Sequence, residues 1–247
     1  MLKRVKSFLK NRHTTEIMYK EYIKESSKKA LMESKEKLLH GKNVFISNDL
    51  PMGFDLDHVL RTVEKYVPLH LMRLVDVVYI GDFPFLKKRN INAAYNDEAL
   101  YITNEQDDEK DMLNDIVHET AHSVEKLYPD EIYSDQSVEN EFIGKRKRLC
   151  NLLSSEGYRI SRSSCRKVEY DKEFDEFLYK TVGYEKLVNI TMGLFMSPYA
   201  ATSLREYFAN GFEAYFIGDR AYLKKVSPYL YNKLEQLESL EDMINEY

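Results

Sequence analysis

Asp115-Ile116-Val117-His118-Glu119-Thr120-Ala121-His122 carries the pattern H-E-x-x-H. On a helix, two histidines four apart stand on one face, about one turn from each other. Both imidazoles then reach a single zinc ion, and the glutamate between them reaches a water on that ion. Chance produces the pattern in about one chain in a hundred of this size. A third ligand and a compatible fold therefore have to come from the rest of the chain.

The spacing around the motif predicts a helix from about Asp111 to Leu127. At about 100° per residue, Leu113, Ile116, Val117, Val124 and Leu127 fall on one side. Asp115, His118, Glu119 and His122 fall on nearly the opposite side. Such a helix is apolar toward a core and reactive toward a cleft. The acidic stretch from Gln106 to Glu109 suits the positive end of that helix.

Upstream, Val44-Phe45-Ile46-Ser47 reads as a first strand, and Val75 to Ile80, closed by Gly81-Asp82, as the strongest one. Between them, a loop through Asp49, Pro51 and Gly53 precedes a helix spaced by Leu56, Val59, Leu60, Val63 and Val67 and stopped at Pro68. Ile91 to Tyr95 and Leu100 to Thr103 read as a hairpin around Asn96-Asp97-Glu98.

Downstream the pattern is helical. Ser137 to about Ser154 has Phe142, Leu149, Leu152 and Leu153 inward, and an irregular loop follows to Lys167. A helix through Phe174, Phe177, Leu178 and Val182 ends near Gly183, and another runs from Tyr184 to Phe195. Ser197-Pro198 looks like a cap with proline at the first helical position. Leu204 to Ile217 is strongly helical, and Val226 to Met243 closes the chain. Lys145-Arg146-Lys147-Arg148 is expected to be a solvated basic face, with a phosphate-binding patch as the other reading. Strands in the first half and helices in the second make the expected class α+β. Residues 1 to 41 read as one or two amphipathic helices ended near Gly41, a helical N-terminal extension ahead of a main domain over 42–247.

The chain has 247 residues, 43% hydrophobic and 31% charged, which is ordinary for a globular protein. Nineteen Tyr and 12 Phe against 9 Gly and 6 Pro point to a sizeable core with few long loops. A net charge of -5 gives no global basic footprint, so nucleic acid is not an expected partner. No apolar run is long enough for a transmembrane helix. The N-terminus is basic (Lys3, Arg4, Lys6, Lys10, Arg12) but lacks the apolar stretch of a secretory signal, so a cytoplasmic location is the default. Its apolar face (Leu2, Val5, Phe8, Leu9) reads as a docking surface ahead of a membrane-surface one. Cys150 and Cys165 could bridge only if the fold brings them together, and free thiols are the default expectation.

A catalytic zinc has three protein ligands and an open fourth position. The best source of the third is the helix Ser203-Leu204-Arg205-Glu206-Tyr207-Phe208-Ala209-Asn210-Gly211-Phe212-Glu213, with Glu206, Asn210 and Glu213 on one stripe. Ser203-x-x-Glu206 is equally a capping box, in which the glutamate only satisfies a backbone N–H. Glu213 is a third possibility.

His118-Glu119-x-x-His122, followed by Tyr199-x6-Glu206-Tyr207-Phe208-Ala209, resembles the zinc metallopeptidases related to the catalytic domain of anthrax lethal factor. The resemblance covers roughly residues 44 to 218. It implies a zincin-like domain with a small mixed sheet, an active-site helix and a mostly helical C-terminal half. It also implies one catalytic Zn2+ held by His118, His122 and Glu206, with Tyr199 facing the substrate. In one respect the chain departs from that family. Where the family usually has a second glutamate, four residues after the ligand, this chain has Asn210. The family glutamate is expected to partner a zinc ligand, and a neutral Asn raises ligand basicity less.

The expected activity is that of a zinc-dependent endopeptidase acting on a protein or peptide. Glu119 is the general base and Tyr199 the donor to the oxyanion or leaving nitrogen. Asp115, one turn before His118, either orients a ligand histidine or simply favours the helix N-terminal half. The strand near Ala93 to Tyr95 is suited to pair with an extended peptide along the cleft. His13, His40, His58 and His70 fit no ligand spacing. The alternative is a non-catalytic structural or delivered module that keeps the fold; the intact Glu119 argues against it. Lethal-factor relatives include toxins that act inside a target cell, so delivery would need another component.

Overall fold

The computed structural model describes residues 37–240. The helices expected over the first 36 positions, and the end of the last helix toward Met243, lie outside the described residues. Strands β1 (Lys37–Leu39) and β2 (Lys42–Ile46) form a hairpin turned at His40 and Gly41, both at positive φ. The helix expected to run to Gly41 is therefore strand at its end. The sheet begins at Lys37, ahead of the domain boundary expected at residue 42. Pairing with β2 and complete burial of Leu39 outweigh the helical propensity of Lys and Leu.

Helix α1 (Leu56–Tyr66) is capped by Asp55, whose side chain accepts from the His58 N–H, and stops before Pro68. Strand β3 (Val77–Gly81), the short α2 (Pro84–Arg89), β4 (Ala93–Asn96) and β5 (Ala99–Thr103) follow. The β4–β5 turn is made by Asp97 and Glu98 at φ 47 and 64. A tight hairpin turn that matches the strand twist needs both central residues in the left-handed region. The five strands lie in the order β1-β2-β3-β5-β4, with β2, β3 and β5 parallel and the two outer strands antiparallel. β4 is thus an edge. The mixed sheet in a mostly helical chain is the α+β class expected.

Helix α3 (Glu109–Leu127), capped by Asp108, carries the motif and covers one sheet face together with α1. It buries Met112, Ile116, Val117, Ala121 and Val124. Leu113 and Leu127, expected inward, are only half-buried. The opposite sheet face holds a smaller cluster of Phe83, Leu86, Ala94, Ala99 and Tyr101.

After α4 (Pro129–Tyr133), helix α5 (Ser137–Ser155) buries Phe142, Leu149 and Leu153, while Leu152 is exposed. Cys150 and Cys165 are joined in a disulfide, with Cα atoms 6.2 Å apart, so the expected free thiols are not observed. The loop between them folds back onto α5, which spacing along the chain does not reveal. The basic run is corrected too. Arg146 is fully buried and Lys145 half-buried, and only Lys147 and Arg148 face solvent.

Helix α6 (Lys172–Glu176) continues into a π-helical stretch (Phe177–Val182) ended by Gly183 at φ 86. Helix α7 (Tyr184–Thr191) stops before the expected Phe195 because the chain reverses at Gly193. Ser197 Oγ does accept from the Ala200 N–H, yet it starts only a single 3-10 turn (Tyr199–Ala201). Helix α8 (Leu204–Phe216) follows, capped by Ser203. The final stretch is two helices, α9 (Arg220–Val226) and α10 (Pro228–Glu238), separated at Ser227-Pro228. A Cβ on Gly211 would stand 2.2 Å from Leu230 Cδ2, so glycine is what lets α8 press against α10. Among the described residues no helix is long and apolar enough to cross a membrane.

Candidate metal centre

Helices α3 and α8 pack against each other, which sets His118 and His122 opposite Glu206. His118 Nε2 lies 3.0 Å from Glu206 Oε2, and His122 Nε2 lies 3.9 Å from Glu206 Oε1. Donor atoms ~2.0–2.1 Å from a tetrahedral zinc stand roughly 3.3 Å from one another. The two observed separations bracket that value. His118, Glu119 and His122 also form a group able to hold a metal ion, with ligand atoms all within 4.8 Å of one another.

Glu119 and Glu206 are both near enough to supply a third ligand, and two observations separate them. Glu206 presents one oxygen toward each imidazole Nε2. Glu119 Oε2 instead accepts the main-chain N–H of Tyr95 at 2.6 Å. The capping alternative for Glu206 is resolved as well. Ser203 Oγ accepts from the Glu206 N–H at 3.1 Å, but the Glu206 carboxylate turns to the histidines.

Glu213 stands behind His118, and its carboxylate pairs with Nδ1. Donation from Nδ1 to a carboxylate leaves the Nε2 lone pair for a metal, the usual arrangement of a ligand histidine. Burial by itself would lower the basicity of His118. Hydrogen bonds and charge from Glu206 and Glu213 override it and push the imidazole up to about 10. The proton on Nε2 is the one given up when that nitrogen takes a metal. Burial would raise Glu206, but His118 and His122 hold its carboxyl below the ordinary range, so it is ionised.

His122 is buried, and its Nδ1 lies 3.0 Å from Arg205 Nε. Glu125 Oε2 is 3.9 Å from the same nitrogen and 3.8 Å from Arg205 Nε. A ligand histidine donates from its second nitrogen. Of these two neighbours only Glu125 accepts, and the largely exposed Arg205 is the one with room to move. As placed, Arg205 donates to His122 Nδ1 and leaves the proton on Nε2, so a metal on Nε2 requires Glu125 to replace Arg205 as the partner of Nδ1.

Tyr199 stands at the rim, 49% exposed, its ring centre 6.4 Å from that of His118. Local desolvation and the charge of Glu206 hold its phenol above the ordinary range, so it remains a donor. Two expected partners of the ligands do other things. Asp115 accepts from Gln106 Nε2 at 3.0 Å and hydrogen-bonds neither histidine, and burial pushes its carboxyl up to about 6. Asn210 accepts from Ser197 Oγ at 2.5 Å and donates to the Glu206 main-chain oxygen at 3.0 Å. It braces the Tyr199 turn against α8. The residue seven after Glu206, not the one four after, reaches a motif histidine.

Glu213 was visible on the Glu206 stripe, but only as a possible ligand. Glu125 sits one turn after His122 and could have been found by asking what its Nδ1 meets. Arg205 and the Tyr95 amide left no trace in the spacing. The groups line a cleft of about 660 Å³, walled by residues 89–95 on one side and Asn114, Tyr199 and Asn210 on the other. A second cavity of about 860 Å³ shares Tyr199, Arg205 and Glu206 with it and extends to Tyr170 and Asp175. Compared with protein-family models, curated proteins and solved structures, the chain matches none.

Proposed function

We propose that the chain is a zinc-dependent endopeptidase with a zincin-like active site. The observation that carries this is the placement of Glu206, one oxygen toward each histidine Nε2, with Glu119 beside them but held apart. Zinc, when bound by His118, His122 and Glu206, supplies Lewis-acid polarisation of a carbonyl and a water acidic at neutral pH. Glu119 takes a proton from the attacking water and later delivers it to the leaving amine. Tyr199, at the rim and protonated, donates its O–H to the developing oxyanion. Glu213 fixes the His118 ring by its hydrogen bond.

An extended peptide is the substrate form that the edge strand supports. Thr103 N–H donates to Asn92 O, and β4 is in register with Ala94 opposite Tyr101. In an antiparallel ladder, alternate pairs exchange hydrogen bonds. Ala93 and Tyr95 are then the residues whose main-chain groups point away from β5, toward the cleft; with the Tyr95 N–H taken by Glu119, the Ala93 N–H and carbonyl and the Tyr95 carbonyl are the groups to which a peptide can add as a further strand.

Elemental analysis of protein purified without added metal is expected to give near one zinc per chain. Glu119→Gln is expected to keep that metal while cleavage of a random peptide library falls by about 10²–10⁴-fold. A wild type that binds no zinc even when zinc is supplied sinks the reading.

A further inference from the structure

Glu119 lies close enough to both histidines to act as a ligand, yet the reading above needs it as a base. We infer that the main-chain N–H of Tyr95 is the positioning group that decides between these roles. By hydrogen-bonding Oε2 it holds Glu119 on the strand side of the cleft and off the ion. The inference rests on the endopeptidase reading of the same site.

Three observations carry it. The bond is short, 2.6 Å, as expected for a donor on a carboxylate. The amide is one of the outward-facing groups of β4, so among the described residues no sheet partner competes for it. And the strand is fixed where it stands. Tyr95 O–H donates to Leu74 O at 3.0 Å, Ala93 and Ala94 are buried, and β4 packs along α3. A donor on a rigid strand opposite a carboxylate on a rigid helix locks one rotamer of that carboxylate. The motif glutamate is thereby held against the edge strand, 2.6 Å from its outward amide. A misplacement of about 1 Å in such a group can cost on the order of 10²-fold in rate.

Proline at position 95 deletes the N–H while leaving the ladder bonds of Ala94 and Asn96 in place, and edge strands accept proline there. Tyr95→Ala is the matched control, because it removes the same side chain and keeps the N–H. In zinc-loaded protein, Tyr95→Pro is expected to lose about 10–100-fold in kcat relative to Tyr95→Ala, with KM and zinc content unchanged. With cobalt in place of zinc, its visible spectrum is expected to shift, relative to that of Tyr95→Ala, toward a higher coordination number as Glu119 swings onto the ion. Hydrogen exchange on the metal-free protein tests the contact without catalysis. The Tyr95 amide is expected to exchange at least about tenfold slower in wild type than in Glu119→Ala, since among the described residues Glu119 is the acceptor for that amide. Equal exchange rates overturn the inference, as do equal kcat values and spectra for the proline and alanine variants. Should Tyr95→Pro not fold, the exchange comparison decides alone. If wild type cleaves no peptide while its Tyr95 amide is protected by Glu119, the endopeptidase reading falls and the contact itself stands.

Discussion

Two regions of this chain bury charge, and they do it in opposite ways. In the cleft, His118, His122, Glu206 and Glu213 converge, and carboxylate partners outweigh burial so that His118 is pushed up to about 10. On α5, burial wins. It pushes Lys145 down to about 8 and Arg146 down to about 10, with no carboxylate hydrogen-bonded to either. Arg146 donates to the carbonyls of Lys167 and Thr202 at 3.2 and 2.9 Å and lies 4.2 Å from the Phe174 ring centre. Lys145 donates to Ser227 Oγ at 2.5 Å and lies 4.9 Å over Tyr207.

The difference is one of use. Opposite charges that share ligand atoms on the wall of an open cleft can trade a proton for a cation. Cations closed in by carbonyls and ring faces can only hold elements together. Thr202 immediately precedes the α8 cap, so Arg146 pins the start of the helix that presents Glu206.

Five substitutions test that contrast. Tyr199→Phe, on the cleft side, is expected to lower kcat by about 10²–10³-fold with zinc content unchanged. Steady-state kinetics against any substrate found by library screening reads this, and an unchanged kcat removes Tyr199 from the chemistry. Arg146→Ala leaves two carbonyls unpaired and a void beside Phe142 and Phe174. It is expected to cost roughly 2–4 kcal/mol of folding stability, seen as a lower urea midpoint. At temperatures where the variant is folded, zinc content is expected to stay near one per chain. A folded variant that loses zinc would break the division between the two regions.

Glu213→Gln replaces a charged acceptor on His118 Nδ1 by a neutral one. Zinc affinity is expected to fall about 10–100-fold, measured by competition with a chelator. Asn210→Ala serves as its counterpart on the same stripe, and its affinity is expected to stay near wild type because the Asn210 side chain hydrogen-bonds Ser197 and the Glu206 main chain instead of a histidine or carboxylate of the site.

The smallest effect concerns Lys145. Its pKa in the folded protein is about 8, below the ordinary 10.5. Between those values the unfolded chain binds more protons, so this group makes stability rise as pH increases from about 8 to about 10.5. Lys145→Met removes that contribution, and the variant's stability is expected to rise less with pH than that of wild type. Urea midpoints collected from pH 7.5 to pH 10 would show it; parallel curves would mean that Lys145 is not desolvated.

The reactive helix was legible in the sequence because two periodicities coincide there. A spacing of four puts His118 and His122 on one face, and the apolar positions Ile116, Val117 and Val124 occupy the other. The three inner strands and the β4–β5 turn were legible for a similar reason: β-branched runs bounded by turn residues leave few alternatives. The stripe through Glu206 and Glu213 was visible too. Which of its members meets a histidine Nε2 and which an Nδ1 was not, because that depends on how α8 lies across α3. The same limit explains the other corrections. Solvation of Lys145 and Arg146, pairing of Cys150 with Cys165, the strand at Lys37–Leu39 and the partners of Asp115 and Asn210 are all set by elements distant in sequence. Local spacing decides which side chains share a face. Only tertiary packing decides what that face meets, because burial and hydrogen-bond partners are properties of the pair of surfaces and not of either one.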